Sequence, residues 1–433
     1  MPMSFVRRFA ETNIFQLAAN ALQLVVSIVI ARSLGVAGKG AYAAATALLE
    51  VIVYIALFGI NNGILYVAAK SADHARRTAT LTVFFTAVNG AFAAALMALL
   101  AWSNAPISRN VNPQYLLILA PLALISIGVS YFSFLAISRE HVTAYNILNV
   151  LVPVLQLVGL LALLAVVRSI SVKHALWVLV TTNAIILALY VFIGATRIGF
   201  ARIIDLGLAR TILVVGFRSY IVALLGYIVL RSDIIILNML KGNYQVGLYS
   251  TATALAFKLL LISNSVTVLL SPRMIRDLEG SLEFQLKVAR VLSFLIVLIL
   301  IATDILYVPA VYVLYGRSFV PSWQPYFILN IGMFFLTLYS AFGPYYIARG
   351  IPSAAIAAAF VAAASNVILN FMLIPDLGYN GAALASSISY FLAFAIYAWD
   401  LRRNQGVSVS SILIPRAEEL AELKNRILAA ITR

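Results

Sequence analysis

Twelve apolar runs, each long enough to cross a bilayer, divide this 433-residue chain. They fall near residues 13–33, 42–68, 79–101, 115–137, 144–167, 175–196, 211–237, 245–270, 287–309, 326–347, 353–374 and 380–399. A helix needs about 20 apolar residues to span a hydrocarbon core of about 30 Å. Inside lipid every backbone N–H and C=O must find an internal partner, so runs of this length form helices. Twelve spans of about 22 residues occupy about 61% of the chain, close to the 63% that is apolar. Only 10% is charged, and the mean hydropathy is +1.01. A soluble fold of this composition lacks the polar residues to coat itself. Soluble enzymes, nucleic-acid binders, disulfide scaffolds and disordered chains are thereby excluded. The expected fold is an all-α polytopic membrane protein with twelve transmembrane helices.

With no cysteine and three scattered histidines (His74, His141 and His174), the sequence offers neither a thiolate site nor a histidine cluster, and no metal or cofactor is expected. The first run is interrupted by Asn20 and Gln23 and lacks the compact core and cleavage site of a signal peptide. The net charge of +15 fits cytoplasmic loops rich in Lys and Arg better than a nucleic-acid partner. With the N-terminus inside, twenty of the thirty Lys and Arg fall in cytoplasmic segments, seven in outer segments and three within helices. The bias places both termini in the cytoplasm. The loop at 197–210 separates six spans from six. The expected units are therefore residues 1–200, residues 201–400 and a cytoplasmic tail, 401–433. In the tail, Leu420, Leu423, Ile427 and Ile431 lie opposite Glu419, Glu422 and Arg426 at helical spacing, the pattern of an amphipathic helix on the membrane surface or against neighbouring loops.

The halves resemble each other. Residues 35–48 (GVAGKGAYAAATAL) and 242–255 (GNYQVGLYSTATAL) match at seven of fourteen positions with an offset of 207. The matched pairs include Gly35 with Gly242 and Gly40 with Gly247. Six spans separate the copies, and six is even, so each half starts on the same side of the membrane. The duplication is parallel, and two pseudosymmetric six-helix lobes are expected around a central cleft, an arrangement suited to alternating access.

Charges inside spans are costly and mark functional sites. Here they are Glu50 in the second span, Arg218, Arg231 and Asp233 in the seventh, Lys258 in the eighth and Asp304 in the ninth. Glu50 maps one position before Lys258 under the repeat offset. Glu50 either pairs with Lys258 until substrate arrives or carries a proton. Helical spacing puts Tyr54 and Asn61 on the face of Glu50, Thr251 and Ser265 on the face of Lys258, and Asn20 with Gln23 in a stripe on the first span. These residues are expected to line a wet cavity. Arg218 and Lys258 are its main cations, because Arg binds phosphate bidentately and Lys adds a point charge. Arg231, Asp233 and Asp304 lie nearer the outer ends of their runs and are candidates for a gate or for ion coupling.

Three motifs carry a family resemblance. Ala31-Arg32-Ser33-Leu34-Gly35, with Gly40 and Tyr42 beyond it, resembles the opening of polysaccharide flippases of the Wzx type. Tyr315-Gly316-Arg317-Ser318-Phe319 resembles their motif after the ninth span, and Asn380-Gly381-Ala382-Ala383 resembles the start of their twelfth. These flippases belong to the multidrug/oligosaccharidyl-lipid/polysaccharide (MOP) exporter superfamily. The resemblance implies a flippase, not an enzyme, that carries a lipid-diphosphate-linked oligosaccharide across a bacterial inner membrane. The implied partners are the polyprenyl diphosphate-linked glycan, membrane lipids, H+ or Na+ as coupling ion and a polysaccharide polymerase. Two alternatives remain open at this point: a cation-coupled drug antiporter of the same superfamily, and a membrane-embedded polymerase or glycosyltransferase. The latter usually carries catalytic acids on large outer loops, whereas Asp376 is the one carboxylate in the short outer segments here.

Overall fold

The computed structural model describes residues 3–103, 105–261, 263, 281–350, 352–422 and 425. Among them the secondary structure is helical and contains no strand. Ten helices are long and apolar enough to cross a membrane. The first, α1 (Met3–Ala56), holds two spans, because Gly35 adopts φ 67°, ψ −176° and breaks it into two segments of membrane length. Eleven of the twelve expected spans are thereby accounted for. The twelfth opens as α8 (Asn243–Ala256) and a 3-10 turn, Phe257–Leu259; most of its remainder lies outside the described residues.

The other long helices are α3 (Ala72–Trp102), α4 (Pro113–Ser138), α5 (Val142–Val167), α6 (Val172–Ile193) and α7 (Leu206–Lys241). They are followed by α9 (Ser281–Leu314), α10 (Trp323–Ala341), α12 (Ser353–Leu377) and α13 (Tyr379–Gln405). Short helices α2 (Ile60–Ala68), α11 (Gly343–Ala348) and α14 (Ser410–Leu413) complete the set. The expected run at 42–68 is divided between α1 and α2, and α9 continues through Pro309 to Leu314.

The chain forms two compact units, Met1–Leu248 and Tyr249–Arg433. The first contains α7 and the opening turn of α8, so the limit of compactness differs from the point where the sequence duplicates. Within this unit the duplication takes physical form. Gly242, the repeat mate of Gly35, adopts φ 77°, ψ −176°, nearly the same torsions. Gly40 and Gly247 then bring α1 and α8 into backbone contact. A Cβ on Gly40 would lie 1.8 Å from the Asn243 carbonyl oxygen, and one on Gly247 would lie 2.0 Å from that of Val36. Asn243 is itself the repeat mate of Val36, so the contact is two-fold symmetric in sequence as in space. Small residues allow helix backbones this close where lipid supplies no hydrophobic drive. A second crossing joins α2 to the start of α7, where Cβ atoms on Gly59 and Gly216 would each lie 2.3 Å from the other's carbonyl oxygen.

In the second unit α12 and α13 pack antiparallel: a Cβ on Gly381 would lie 2.4 Å from the Leu373 carbonyl oxygen, Ser365 bonds Ser389 at 3.2 Å, and Ala355 and Ala358 share a core with Phe394, Tyr397 and Ala398. Residues 411–422 dock on the first turns of α9. Arg290 is buried and donates from Nε to both carboxylate oxygens of Glu419 (3.1 and 2.9 Å) and from Nη1 to the Ser411 carbonyl (2.9 Å). Lys287 pairs with Glu422 at 2.6 Å. The acidic face of the tail therefore turns toward α9. Removing one partner of a buried pair costs about 3–5 kcal/mol. In Arg290→Ala or Glu419→Ala, amide exchange across residues 410–422 is expected to accelerate about 100-fold or more, at about 1.4 kcal/mol per tenfold. Hydrogen bonding from Arg290 holds the Glu419 carboxyl below its ordinary value. Its contribution is fully present above the ordinary glutamate pKa of about 4.3 and is lost as pH falls through the lowered folded value. Tail protection is thus expected to stay flat from about pH 8 to about pH 5. Faster exchange by pH 5, after correction for the intrinsic chemical rate, would contradict the pairing.

Candidate functional site

Between the two glycine crossings lies the main ionic contact of the first unit. Glu50, on the second segment of α1, meets Arg231 of α7, with Nε 2.7 Å from Oε2. Tyr227 donates its hydroxyl to the same oxygen at 3.0 Å. One layer away, the rings of Tyr54 and Tyr227 stack with centroids 4.2 Å apart and planes 8° from parallel. Each helix supplies one charge and one ring at i, i+4, the spacing that puts both on one helix face. Their order is reversed, Glu50 then Tyr54 on α1 and Tyr227 then Arg231 on α7, so the two faces meet layer on layer. At 1.5 Å per residue, Glu50 stands about 15 Å along its helix from Gly40 and about 13 Å from Gly59.

A lone charge at this depth costs about 3 kcal/mol on insertion scales, so each member of the pair requires the other. Both side chains nonetheless remain about a third exposed, Arg231 at 32% and Glu50 at 38%. They are open enough for a competing anion to reach the guanidinium, and a phosphate oxygen accepts the same bonds as a carboxylate.

The structure changes several sequence expectations. Glu50 takes Arg231 and Tyr227 as partners. Arg231 appeared close to the outer end because the apolar run stops at 237, but α7 continues to Lys241, which puts the guanidinium about 15 Å inside the helix. Asp233 is fully buried on α7, its Oδ1 accepting from the Ile234 N–H at 2.7 Å. Asn61 lies beyond the break between α1 and α2, so its heptad spacing from Tyr54 no longer defines a shared face. Asn20 donates to the Gln16 carbonyl of its own helix (2.9 Å), and Gln23 is exposed on α1. In the second unit Thr251 is buried on α8 and Lys258 is half-buried in the 3-10 turn. Asp304 accepts from Asn330 Nδ2 at 2.5 Å. Ser265 and the side chain of Arg218 lie outside the described residues.

Sequence reasoning missed three features. Tyr227 carries no charge and was passed over, although it sits four residues from Arg231. Lys39 lies between the first two apolar runs, a position that reads as an outer loop, but it is buried within α1 beside the Gly40 contact. A buried amide and hydroxyl network in the second unit joins Asn370 to Asn366, Asn366 to Ser386, and Ser365 to Ser389. The signal for it was an i, i+4 asparagine pair inside an alanine-rich run.

The described helices, with the charged and aromatic cluster between α1 and α7, have a fold similar to that of solved MOP superfamily proteins. The lipid II flippase MurJ in an inward closed conformation superposes with a TM-score of 0.72 at 14% identity, covering 90% of this chain and 87% of that one. An inward-facing multidrug resistance MATE family transporter of the MOP superfamily gives 0.68 at 14% identity over 90% and 95%. A MOP superfamily transporter from Pyrococcus furiosus, described by the reversed polarity of its binding pocket, gives 0.61 at 14% identity over 92% and 95%. No curated protein matches the sequence. The chain belongs to the polysaccharide biosynthesis protein family, whose profile matches residues 6–277.

Proposed function

We propose that this protein flips a lipid-diphosphate-linked oligosaccharide or polysaccharide repeat unit from the inner to the outer leaflet of a bacterial inner membrane by alternating access, with both termini in the cytoplasm. The observation that carries this reading is the Glu50–Arg231 pair stacked beside Tyr54 and Tyr227 in a chain of the polysaccharide biosynthesis family. A diphosphate displaces Glu50 from Arg231, and tyrosine faces suit the apolar faces of sugar rings. Released from Arg231, Glu50 becomes available to a coupling proton or Na+. In this reading Arg218 and Lys258 add cationic charge for the diphosphate, and Asn20, Gln23, Asn61, Thr251 and Ser265 supply hydrogen bonds to the glycan. Asp233 and Asp304 belong to gating or coupling. The two lobes divide near residue 200, and a polymerase receives the product.

Proteoliposomes test this directly. A fluorescent lipid-linked oligosaccharide on the inner leaflet is expected to become accessible to an external quencher only when the protein is present. Efflux of cationic dyes with no movement of the labelled lipid would instead establish the drug antiporter reading favoured by the MATE-like superposition.

A further inference from the structure

The connection from α6 to α7 is pinned across the first turns of α3. Beyond α6 the chain makes a π turn, Gly194–Ile198, and then passes through Gly199 at φ 80°. The Ala201 N–H donates to the Thr80 hydroxyl oxygen, and that hydroxyl donates to the Ala201 carbonyl, both at 2.9 Å. Asp205 caps α7, accepting from the Leu208 N–H at 3.0 Å, and receives Arg77 Nη1 at 3.2 Å. Held at Ala201 and at Asp205, the loop presents the side chains between them on one fixed surface.

Five arginines collect there: Arg76 and Arg77 on α3, Arg197 in the π turn, Arg202 in the loop and Arg210 on α7. A Cβ on Gly199 would lie 3.4 Å from Arg76 Nε, so the α3 side chain reaches the loop itself. Arg77 is matched by two carboxylates, Asp73 at 2.9 Å and Asp205. The other four arginines are exposed and pair with no carboxylate among the described residues. Between them Ile203 and Leu206 are 77% and 76% exposed. Water is an unfavourable surrounding for such aliphatic side chains.

The helices show which way this surface points. Arg76 and Arg77 lie seven residues before Val83 and Phe84, and Leu206 and Arg210 lie seven before Leu213 and Phe217. Seven residues make about two turns, so each side chain shares the face of its successor. Val83, Phe84, Leu213 and Phe217 are exposed and belong to the apolar stripes that α3 and α7 turn toward lipid. The arginines thus cap lipid-facing stripes near the start of both helices. Their stems lie along apolar surface, while the guanidinium reaches out to bind phosphate.

We propose that this surface is a binding site for an anionic phospholipid, with Arg76, Arg197, Arg202 and Arg210 receiving the phosphate and Ile203 and Leu206 entering the acyl region. Basic side chains attract anionic lipid by charge, and apolar ones beside them hold it by burial. A zwitterionic lipid offers the same burial with no net charge. The site does not depend on what the protein transports. With both termini in the cytoplasm it faces the inner leaflet.

Native mass spectrometry of the full-length protein tests this, with dioleoyl phosphatidylglycerol and dioleoyl phosphatidylcholine as probes. Phosphatidylglycerol is expected to bind about tenfold more tightly, and Arg197→Gln with Arg202→Gln to abolish most of that preference. Both positions are exposed and unpaired, so the fold is left intact. Arg402→Gln with Arg403→Gln removes the same charge from the last turn of α13 and is expected to change the preference less than about twofold. Ile203→Ser with Leu206→Ser is expected to weaken both lipids. A nitroxide at Ile203→Cys, in a chain without cysteine, is expected to be reached by oxygen more readily than by a water-soluble nickel chelate in bilayers containing phosphatidylglycerol. Equal losses in the two arginine double variants would mean diffuse attraction and overturn the site. Displacement of phosphatidylglycerol by glycerol phosphate at matched concentration would make it a site for free phosphate and overturn the lipid assignment. A nitroxide reached chiefly by the nickel chelate would overturn it too.

Discussion

Alanine at Gly40 or Gly247 is expected to reduce transport about 100-fold while the protein still inserts, and to open the crossing of α1 and α8. The added Cβ would stand 1.8 Å from the Asn243 carbonyl in one case and 2.0 Å from the Val36 carbonyl in the other. An ordinary van der Waals contact is at least about 3.4 Å, and the obstructing atoms are backbone, so no side-chain rotation relieves the clash. The helices must part by more than about 1 Å. Overpacking of this kind costs about 1–3 kcal/mol, and a bias of about 3 kcal/mol on one state of an alternating carrier shifts its population about 100-fold. Gly216→Ala acts on the other crossing and is expected to leave the first one closed. The sequence lacks cysteine, so spin labels at Arg32→Cys and Leu240→Cys, both exposed near the first crossing, report its opening without background. A lengthened distance in Gly40→Ala and Gly247→Ala, absent in Gly216→Ala, is the expected pattern. Full transport in both Gly40→Ala and Gly247→Ala would show that the crossing carries no part of the cycle.

The duplication was legible because it rests on residue identity, and the structure repeats it in torsions at Gly35 and Gly242 and in packing at Gly40 and Gly247. A matching pattern says that two segments are alike, however, and not that they touch, so the symmetric crossing could not be read from the sequence. Helical type followed from apolar length alone, and so did eleven of the twelve spans. The break at Phe58 did not, because the donors to its carbonyls lie far away in sequence, in Asn89, Tyr131 and Tyr220, and a phenylalanine gives no local sign of positive φ. The charges of the site were visible as rare ions in apolar runs, whereas their pairing depended on where the helices really end. An apolar run marks the lipid-like part of a helix and stops short of its terminus, and that difference moved Arg231 from the apparent edge to the level of Glu50. Lys39 was misplaced for the opposite reason, since a short polar stretch between two runs reads as a loop even where it is helical and buried.

Arg231 and Glu50 are expected to respond differently to neutralisation, and that asymmetry separates a substrate ligand from a structural ion pair. In the proposed function Arg231 receives the diphosphate; Arg231→Ala removes that guanidinium and strands Glu50 inside the span, where an unpartnered charge costs about 3 kcal/mol. Transport is expected to fall at least 100-fold, with sugar diphosphate binding weakened to a similar degree. Arg231→Lys keeps the charge but loses the planar Nε–H contact, and an intermediate loss of about tenfold is expected, since Lys offers a point charge where Arg offers a fork. Glu50→Gln removes the internal competitor. Binding is then expected to tighten about tenfold, about 1.4 kcal/mol, a size consistent with a pair about a third exposed. Turnover in Glu50→Gln is expected to fall all the same, because no carboxylate remains to reclaim Arg231 and expel the head group on the outer side. Titration of the purified protein with a water-soluble sugar diphosphate, alongside the flipping assay, reads both quantities. A purely structural pair predicts parallel losses of stability, binding and transport in both variants. Tighter binding with slower turnover in Glu50→Gln is the outcome that a structural role does not produce, and weaker binding there would remove Glu50 from the exchange.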